Sequence, residues 1–376
     1  MKLRYGTNPH QAARLGGHER QLRVLSGEPS YINLLDALSA WPLAREAAAA
    51  TRRPAAASFK HVSPAGAAVA GSVDQVAQSA FDVDPSDDSV TSAYIRARDA
   101  DVKSSYGDMV AVSEPVDDEL ADALMRVASD GIIAPGFAPG TAERLAKKKR
   151  GAFLVLEIDQ GYRPPEWERR EVFGFTLEQQ TDQVPIGPDL LRGEMSLAAQ
   201  NTALLAMVTL RYTQSNSVVF ARNGMTVGVA AGQQSRVDCT RLCASKSRMW
   251  WLRRHPRLRD VSFVEGISRQ DRLNWQIRFL DDDMSPPERA LFTAASPNAP
   301  EPLRVDERMS WYDRLSDITM ASDGFIPFRD NVDVAAQYGV TVLVEPGGSI
   351  RSDEVATACE ENSIRHVTHG LRLFHH

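Results

Sequence analysis

The sequence predicts an α/β protein built from two duplicated α/β subdomains. Helical and strand-like apolar runs alternate along the chain, and a short motif occurs twice with the same elements behind it. The motif reads Ala-Ser-Asp-Gly-Ile-Ile-Ala-Pro at 128–135 and Ala-Ser-Asp-Gly-Phe-Ile-Pro at 321–327. Each copy precedes a helical stretch, 142–150 or 331–338, and then a Val/Leu strand, 153–157 or 340–345. Repetition of the order as well as the letters points to duplication.

Residues 31–50 carry Ile32, Leu34, Leu35, Leu38, Trp41 and Leu43 at helical spacing, and Arg52-Arg53-Pro54 closes the Ala-rich run that follows. The apolar run 55–59 reads as a buried strand ending at Lys60-His61. Ser63-Pro64-Ala65-Gly66 then reads as a tight turn into a small-residue helix over 67–80. A polar pair at a strand end stands on the carboxyl edge of an open sheet, where ligands bind. The second subdomain matches loosely, with an apolar strand reaching a polar turn at 212–219 and a strand over 225–231. Residues 252–315, rich in Trp, Arg and Pro, read as a helical, partly exposed insertion in that second copy. Val184-Pro185-Ile186-Gly187-Pro188 is loop-like and sets a boundary near 190, giving subdomains 1–190 and 191–376.

The 376 residues, 43% of them hydrophobic, suffice for two domains. A net charge of −6 argues against a general nucleic-acid or anionic-membrane binder. Of 43 basic residues only seven are Lys, which makes each lysine worth locating. Three cysteines cannot frame a disulfide scaffold and suit a reducing cytoplasm. Cys239 and Cys243 are read as small buried hydrophobes, since no His or Cys pair completes a zinc set. The first residues lack a signal peptide's apolar core, and no run is long enough to span a bilayer. Lys147-Lys148-Lys149-Arg150 reads as a solvated helix end, and Arg253-Arg254-His255-Pro256-Arg257 as an exposed helix end packed on Trp250-Trp251.

Lys60 and His61 carry the sharpest chemical signal. An ammonium beside an imidazole favours its neutral, proton-accepting form, while the lysine can stabilise negative charge growing on an oxygen. The polar segment Tyr212-Thr213-Gln214-Ser215-Asn216-Ser217, with Gly232-Gln233-Gln234-Ser235-Arg236, offers donors for a polar heterocycle or an oxyanion. No P-loop, G-x-G-x-x-G, G-x-S-x-G or H-E-x-x-H motif occurs. The residues alone point to a transferase or lyase acting on a polar, anionic small molecule.

Eight strings in order extend this reading. Leu3 to Gln11, Ser58 to Val69, Ser92 to Asp101, Ser129 to Pro135, Tyr212 to Ser217, Gly232 to Arg236, Pro327 to Asn331 and Leu371 to His376 run from one end of the chain to the other. Together they resemble the transformylase part of the bifunctional purine-biosynthesis enzyme that formylates AICAR (5-aminoimidazole-4-carboxamide ribonucleotide). The resemblance implies two cytidine-deaminase-like subdomains, a cytoplasmic homodimer with active sites at its interface, and no catalytic zinc. It implies formyl transfer from 10-formyltetrahydrofolate to AICAR without IMP cyclohydrolase activity, because the strings start where a preceding cyclohydrolase domain would end. His61 would accept the amine proton, Lys60 would stabilise the oxyanion, and Asn216 would hold the reacting groups in register.

Carried across by the same resemblance, AICAR contacts fall on Arg4, Tyr5, Asn33, Gly107, Asp130, Arg236, Phe325 and Arg372, with Arg4 and Arg372 meeting the 5′-phosphate. Folate contacts fall on Val237, Asp330, Ser349 and Ile350. Some members hold a structural K⁺, for which Thr213, Ser215, Ser217 and Asp323 are the matching positions. The chain departs from the family at Tyr106, at Thr368-His369-Gly370 and at Glu345-Pro346-Gly347-Gly348-Ser349. Two other readings remain: a formyltransferase for a related aminocarboxamide nucleotide, and a nucleotide-binding protein without catalysis.

Overall fold

A strand with apolar residues at every position must be covered on both faces, and the central runs of this chain are covered in that way. The computed structural model describes residues 1–17, 19–191 and 193–376. Its first half contains β1 (Leu22–Ser26), α1 (Tyr31–Thr51), β2 (Ala55–Lys60), β3 (Ser63–Val69), α2 (Gln75–Phe81) and α3 (Val90–Asp99). β4 (Asp108–Val112), α4 (Asp118–Met125), β5 (Ser129–Ala134), α5 (Thr141–Ala146) and β6 (Leu154–Ile158) complete it. A separate hairpin, β7 (Trp167–Val172) and β8 (Phe175–Gln180), follows.

The second half opens with α6 (Leu197–Arg211), β9 (Val218–Arg222), β10 (Met225–Ala230) and α7 (Arg236–Leu252). Four helices then intervene: α8 (Pro256–Arg259), α9 (Arg269–Asp281), α10 (Pro286–Ala295) and α11 (Val305–Tyr312). The chain returns through β11 (Ile318–Ser322), α12 (Asp330–Ala336), β12 (Val340–Glu345), α13 (Ser352–Glu361) and β13 (Arg365–Thr368).

Eleven strands form one mixed sheet in the order β1-β6-β5-β4-β2-β3-β10-β9-β11-β12-β13. Outward from the central β3–β10 contact the two halves show the same sequence of senses: two antiparallel neighbours, then two parallel ones. Alternation along the strands feeds two cores. Ala55, Ala57 and Phe59 face the layer of α1 and α6, whereas Ala56 faces that of α3, α4 and α7. β9 divides likewise, with Val219 and Ala221 on the first side and Val218 and Phe220 on the second.

The central junction is short: β3 and β10 share one paired position, Ala68 with Met225. Side chains supplement it. Thr226 Oγ1 accepts from Ala67 N at 3.0 Å, and buried Arg96 donates to Val69 O and Asn223 O, one carbonyl from each half.

Three expectations are corrected here. Ser63-Pro64-Ala65-Gly66 is not a turn into a helix but the start of β3. The turn falls earlier, and a register shift between Ser58 and Phe59 accommodates Pro64. Gly66 is required there because a Cβ would lie 2.2 Å from Ala97 O of α3. The apolar run before the polar segment at 212–217 is the helix α6, whose stretch from Thr202 onward is buried between the sheet and α1. Arg253 and Arg254 are not an exposed helix end. Arg253 is 4% exposed, and both arginines pair with buried Asp99 of α3 at 2.7 and 2.5 Å. The aromatic packing expected beside them is present, with Arg254 3.8 Å over the Trp250 ring. The inserted helices hold a small core of their own around Phe279, Leu280 and Phe292. Among the described residues, no helix is long and apolar enough to cross a membrane.

Candidate active site

Lys60 ends β2 and pairs directly with Ser63, so His61 and Val62 form the whole turn of the β2–β3 hairpin. Both adopt left-handed backbone angles, φ 53° and 58°. Two-residue turns of this kind favour Asn-Gly, and a Cβ in that region costs roughly 1–2 kcal/mol per residue. Surrounding structure must therefore hold the turn. Asp36, buried in α1, does so by accepting the Val62 N–H at 2.6 Å. Burial pushes the Asp36 carboxyl up, opposed by the Val62 hydrogen bond and by the charges of His61 and Lys60. His61 itself is exposed.

The Lys60 ammonium donates to Gly107 O at 2.6 Å. Gly107 has φ 70°, and a Cβ there would sit 3.0 Å from Lys60 Nζ and 3.5 Å from Asp130 Oδ1. A side chain there would crowd both Lys60 and Asp130. Lys149 completes this first cluster by pairing with Asp130. The tetrabasic run is thus not simply a solvated helix end. The chain leaves α5 at Ala146, and left-handed turns at Lys149 and Arg150 carry Lys149 over to Asp130. Its neighbour Lys148 is buried against the Phe153 ring, and burial pushes its ammonium down to about 7.

A second cluster lies at the start of β9. Arg236, the first residue of α7, is 9% exposed and fully engaged. It donates to Asn216 Oδ1 at 2.7 Å, Ser322 Oγ at 2.8 Å and Asp323 Oδ1 at 2.6 Å. Asn216 Nδ2 donates to Gln233 O at 3.0 Å, which ties the polar segment at 212–217 to the small-residue loop at 232–236. Asp323, fully buried, accepts from Ser215 Oγ at 2.6 Å and Ser217 N at 3.0 Å. The C-terminal tail closes over this cluster, with His375 N donating to Ser215 Oγ at 3.1 Å and Leu373 N to Asp323 O at 2.9 Å.

Strand directions put both clusters on one edge of the sheet. They stand three strands apart, from β2 to β9, roughly 14 Å at ordinary strand spacing. The remaining candidates scatter along that edge. Arg4 is exposed and stacks on Tyr5, its guanidinium carbon 4.8 Å from the ring centre. Asn33 accepts from Ser30 N and Oγ, closing the capping box of α1. Arg372 lies over Phe374 at 4.7 Å. Among the described residues, Arg4 and Arg372 do not touch. Val237 follows Arg236 on α7, and Asp330 opens α12, which packs on α7 through Thr240 Oγ1 donating to Asn331 Oδ1 at 3.0 Å. Ser349 and fully exposed Ile350 occupy the loop after β12. Phe325, Phe328 and Phe374 are each close to half exposed, with Arg351 of that loop 5.0 Å over the Phe328 ring and Phe374 beside Gly324.

Among the described residues, no three His, Cys, Asp or Glu side chains gather as a metal site. The Cys239 and Cys243 thiols are buried against the Asn216 and Gly228 carbonyls at 3.3 and 3.1 Å. Burial raises both, Cys239 to about 12, so neither is poised as a thiolate. Ser215, Ser217 and Asp323 converge, but Thr213 Oγ1 donates to Thr209 O at 2.6 Å and Arg236 already sets a cation on Asp323.

Sequence reasoning missed Asp36 and Lys149. An Asp within a helical pattern carries no local signal, and Lys149 was hidden in a basic run.

The family model described as AICARFT/IMPCHase bienzyme matches residues 1–246, a span holding Lys60, His61, Gly107, Asp130, Asn216 and Arg236. With about two-thirds of its length matched, the chain belongs to the AICARFT/IMPCHase bienzyme family, a family of purine-biosynthesis enzymes.

Proposed function

We propose that this protein transfers a formyl group from 10-formyltetrahydrofolate to the 5-amino group of AICAR. The observation that carries the reading is the strained hairpin turn presenting exposed His61, beside a Lys60 ammonium held at Gly107 O. The amine nitrogen attacks the formyl carbon, and its proton passes to His61. Lys60 stabilises the oxyanion of the tetrahedral intermediate. The bond from that carbon to folate N10 breaks as N10 takes up a proton, leaving formyl-AICAR and tetrahydrofolate. Asn216, oriented by Arg236, holds the substrates in register, and Arg4 with Arg372 meets the 5′-phosphate. Half-exposed Phe328 beside fully exposed Ile350 supports a folate site there, with Val237, Asp330 and Ser349 as its other contacts and Phe325 meeting AICAR. The repeated strand order supports reading 1–190 and 191–376 as two copies of one unit.

The test is direct: purified protein, AICAR and 10-formyltetrahydrofolate, with tetrahydrofolate release followed over time. Turnover is expected, and binding of AICAR with no turnover would overturn the reading. We also expect no ring closure by these residues, so IMP should accumulate only after a cyclohydrolase is added. IMP formed by this protein alone would refute the single activity.

The physiological unit is proposed to be a homodimer, the first cluster of one copy facing the second cluster of its partner. Two exposed apolar features support it. Every residue of β7 and β8 is exposed, Phe173 at the tip by 98%, and a two-stranded hairpin is marginal alone in water. Tyr31, Leu35 and Leu38 form an exposed apolar stripe on α1. Replacing Phe175 and Leu177 together by Asp should convert the dimer to monomer in size-exclusion chromatography with light scattering. An unchanged mass would count against the hairpin as an arm.

A further inference from the structure

We propose that Asp36 is a positioning residue for the Lys60–His61 pair, its carboxylate gripping the Val62 N–H and so fixing the turn that aims both side chains. The inference rests on the formyl-transfer reading of the site.

The turn has no intrinsic reason to form. His61 and Val62 both carry a Cβ at positive φ, and Val62 is β-branched, the class least at home there. A hairpin with Asn-Gly at these positions sets its own geometry. Here the geometry is set from outside. Asp36 is 7% exposed and rooted in the long helix α1, flanked by fully buried Ala37 and Ala40. Its Oδ1 lies 2.6 Å from Val62 N, a charge-assisted bond onto the residue after His61 and two after Lys60.

The same helix brings Asn33 one turn earlier, so α1 links the nucleotide side of the site to the catalytic turn. The charges facing Asp36 are Lys60 and His61 on the hairpin and Asp130 at the start of β5. Burial raises the Asp36 carboxyl, opposed by the Val62 hydrogen bond and the nearby Lys60 ammonium, and the ionised carboxylate is the form that accepts most strongly. Among the described residues, Asp36 forms no hydrogen bond or ion pair with the Lys60 or His61 side chain, so its hold on the turn runs through the Val62 backbone.

The test uses the full chain and three variants. Asp36→Asn keeps an acceptor oxygen in place, whereas Asp36→Ala and Asp36→Ser leave none within reach of Val62. Misaiming a catalytic group by about 1 Å costs about 10²-fold. Asp36→Ala should accordingly lower kcat by about 10²-fold while changing KM for AICAR by less than about threefold. Asp36→Asn should stay within about fivefold of the parent, since it preserves the acceptor. Thermal melts check that each variant is folded, and Asp36→Ser replaces Asp36→Ala if the latter is not.

The Val62 backbone amide provides a readout independent of turnover. Its proton resonance should lie downfield in the parent and Asp36→Asn, and move upfield in Asp36→Ala or Asp36→Ser. A folded variant lacking the acceptor but keeping the parent kcat overturns the proposal. So does a folded Asp36→Asn protein as impaired as Asp36→Ala, or a Val62 resonance that ignores the substitution. If the parent itself transfers no formyl group, the reaction reading fails, while the Val62 shift still reports whether Asp36 holds the turn.

Discussion

His61→Ala and Lys60→Ala should each lower formyl transfer by at least about 10²-fold while leaving AICAR affinity within a few-fold of the parent. The two losses have different causes. Without the imidazole, the proton of a weakly nucleophilic amine must pass to water. General-base assistance of this kind is worth about 10²–10⁴-fold. Without the ammonium, the tetrahedral oxyanion loses a cation that the protein has already oriented. Lys60 Nζ is held at 2.6 Å from Gly107 O, so little reorganisation remains to be done during the reaction.

Binding should survive because the proposed phosphate and ring contacts lie on other segments, Arg4 at the N-terminus and Arg372 near the C-terminus. Lys60→Arg should not restore the parent rate, since a planar guanidinium is a poor substitute for a compact point charge in the space beside Gly107. Calorimetric titration with AICAR and initial rates of tetrahydrofolate release separate the two quantities. Parent-like turnover in His61→Ala would remove His61 from the proposed mechanism.

The largest expected loss of stability belongs to Asp99→Ala. Asp99 is 1% exposed and pairs with both Arg253 and Arg254, which anchor the inserted helices onto α3. Deleting it leaves a buried guanidinium uncompensated, at a cost of about 3–5 kcal/mol. Urea unfolding of parent and variant measures the difference, and a change below about 1 kcal/mol would show that the arginines find other partners.

The pH dependence has a definite sign. Burial alone would raise the Asp99 carboxyl, but the two arginines prevail and hold it below its ordinary value of 3.8. The contribution is therefore complete above pH 3.8 and is lost as the pH falls through the lowered folded value. Acid unfolding of the parent should include this loss. In Asp99→Ala it should be absent.

Where local pattern sufficed, sequence and structure agree closely. The helix expected over 31–50 is Tyr31–Thr51, and the strand expected over 340–345 is Val340–Glu345. These segments have strong periodicity or β-branched composition together with clear stops. The 58–66 region differs because a turn made of His and Val lacks the glycine or asparagine by which left-handed turns are recognised. Arg253 and Lys149 differ because a basic run reads as solvated unless the acid that receives it is known. Asp99 and Asp130 lie far away in sequence.

The sequence by itself determined the α/β class, the repeated motif and the Lys60–His61 pair, because each is written in spacing or in adjacent residues. The family strings named most of the candidate residues as well. Only the tertiary structure decided how those residues group. Strand order put Lys60 with Gly107, Asp130 and Lys149, and Arg236 with Asn216 and Asp323, on one edge but three strands apart. It also brought Asp36 of α1 to the turn at Val62. Contacts between distant segments depend on which strands become neighbours, and no local pattern of residues encodes that choice.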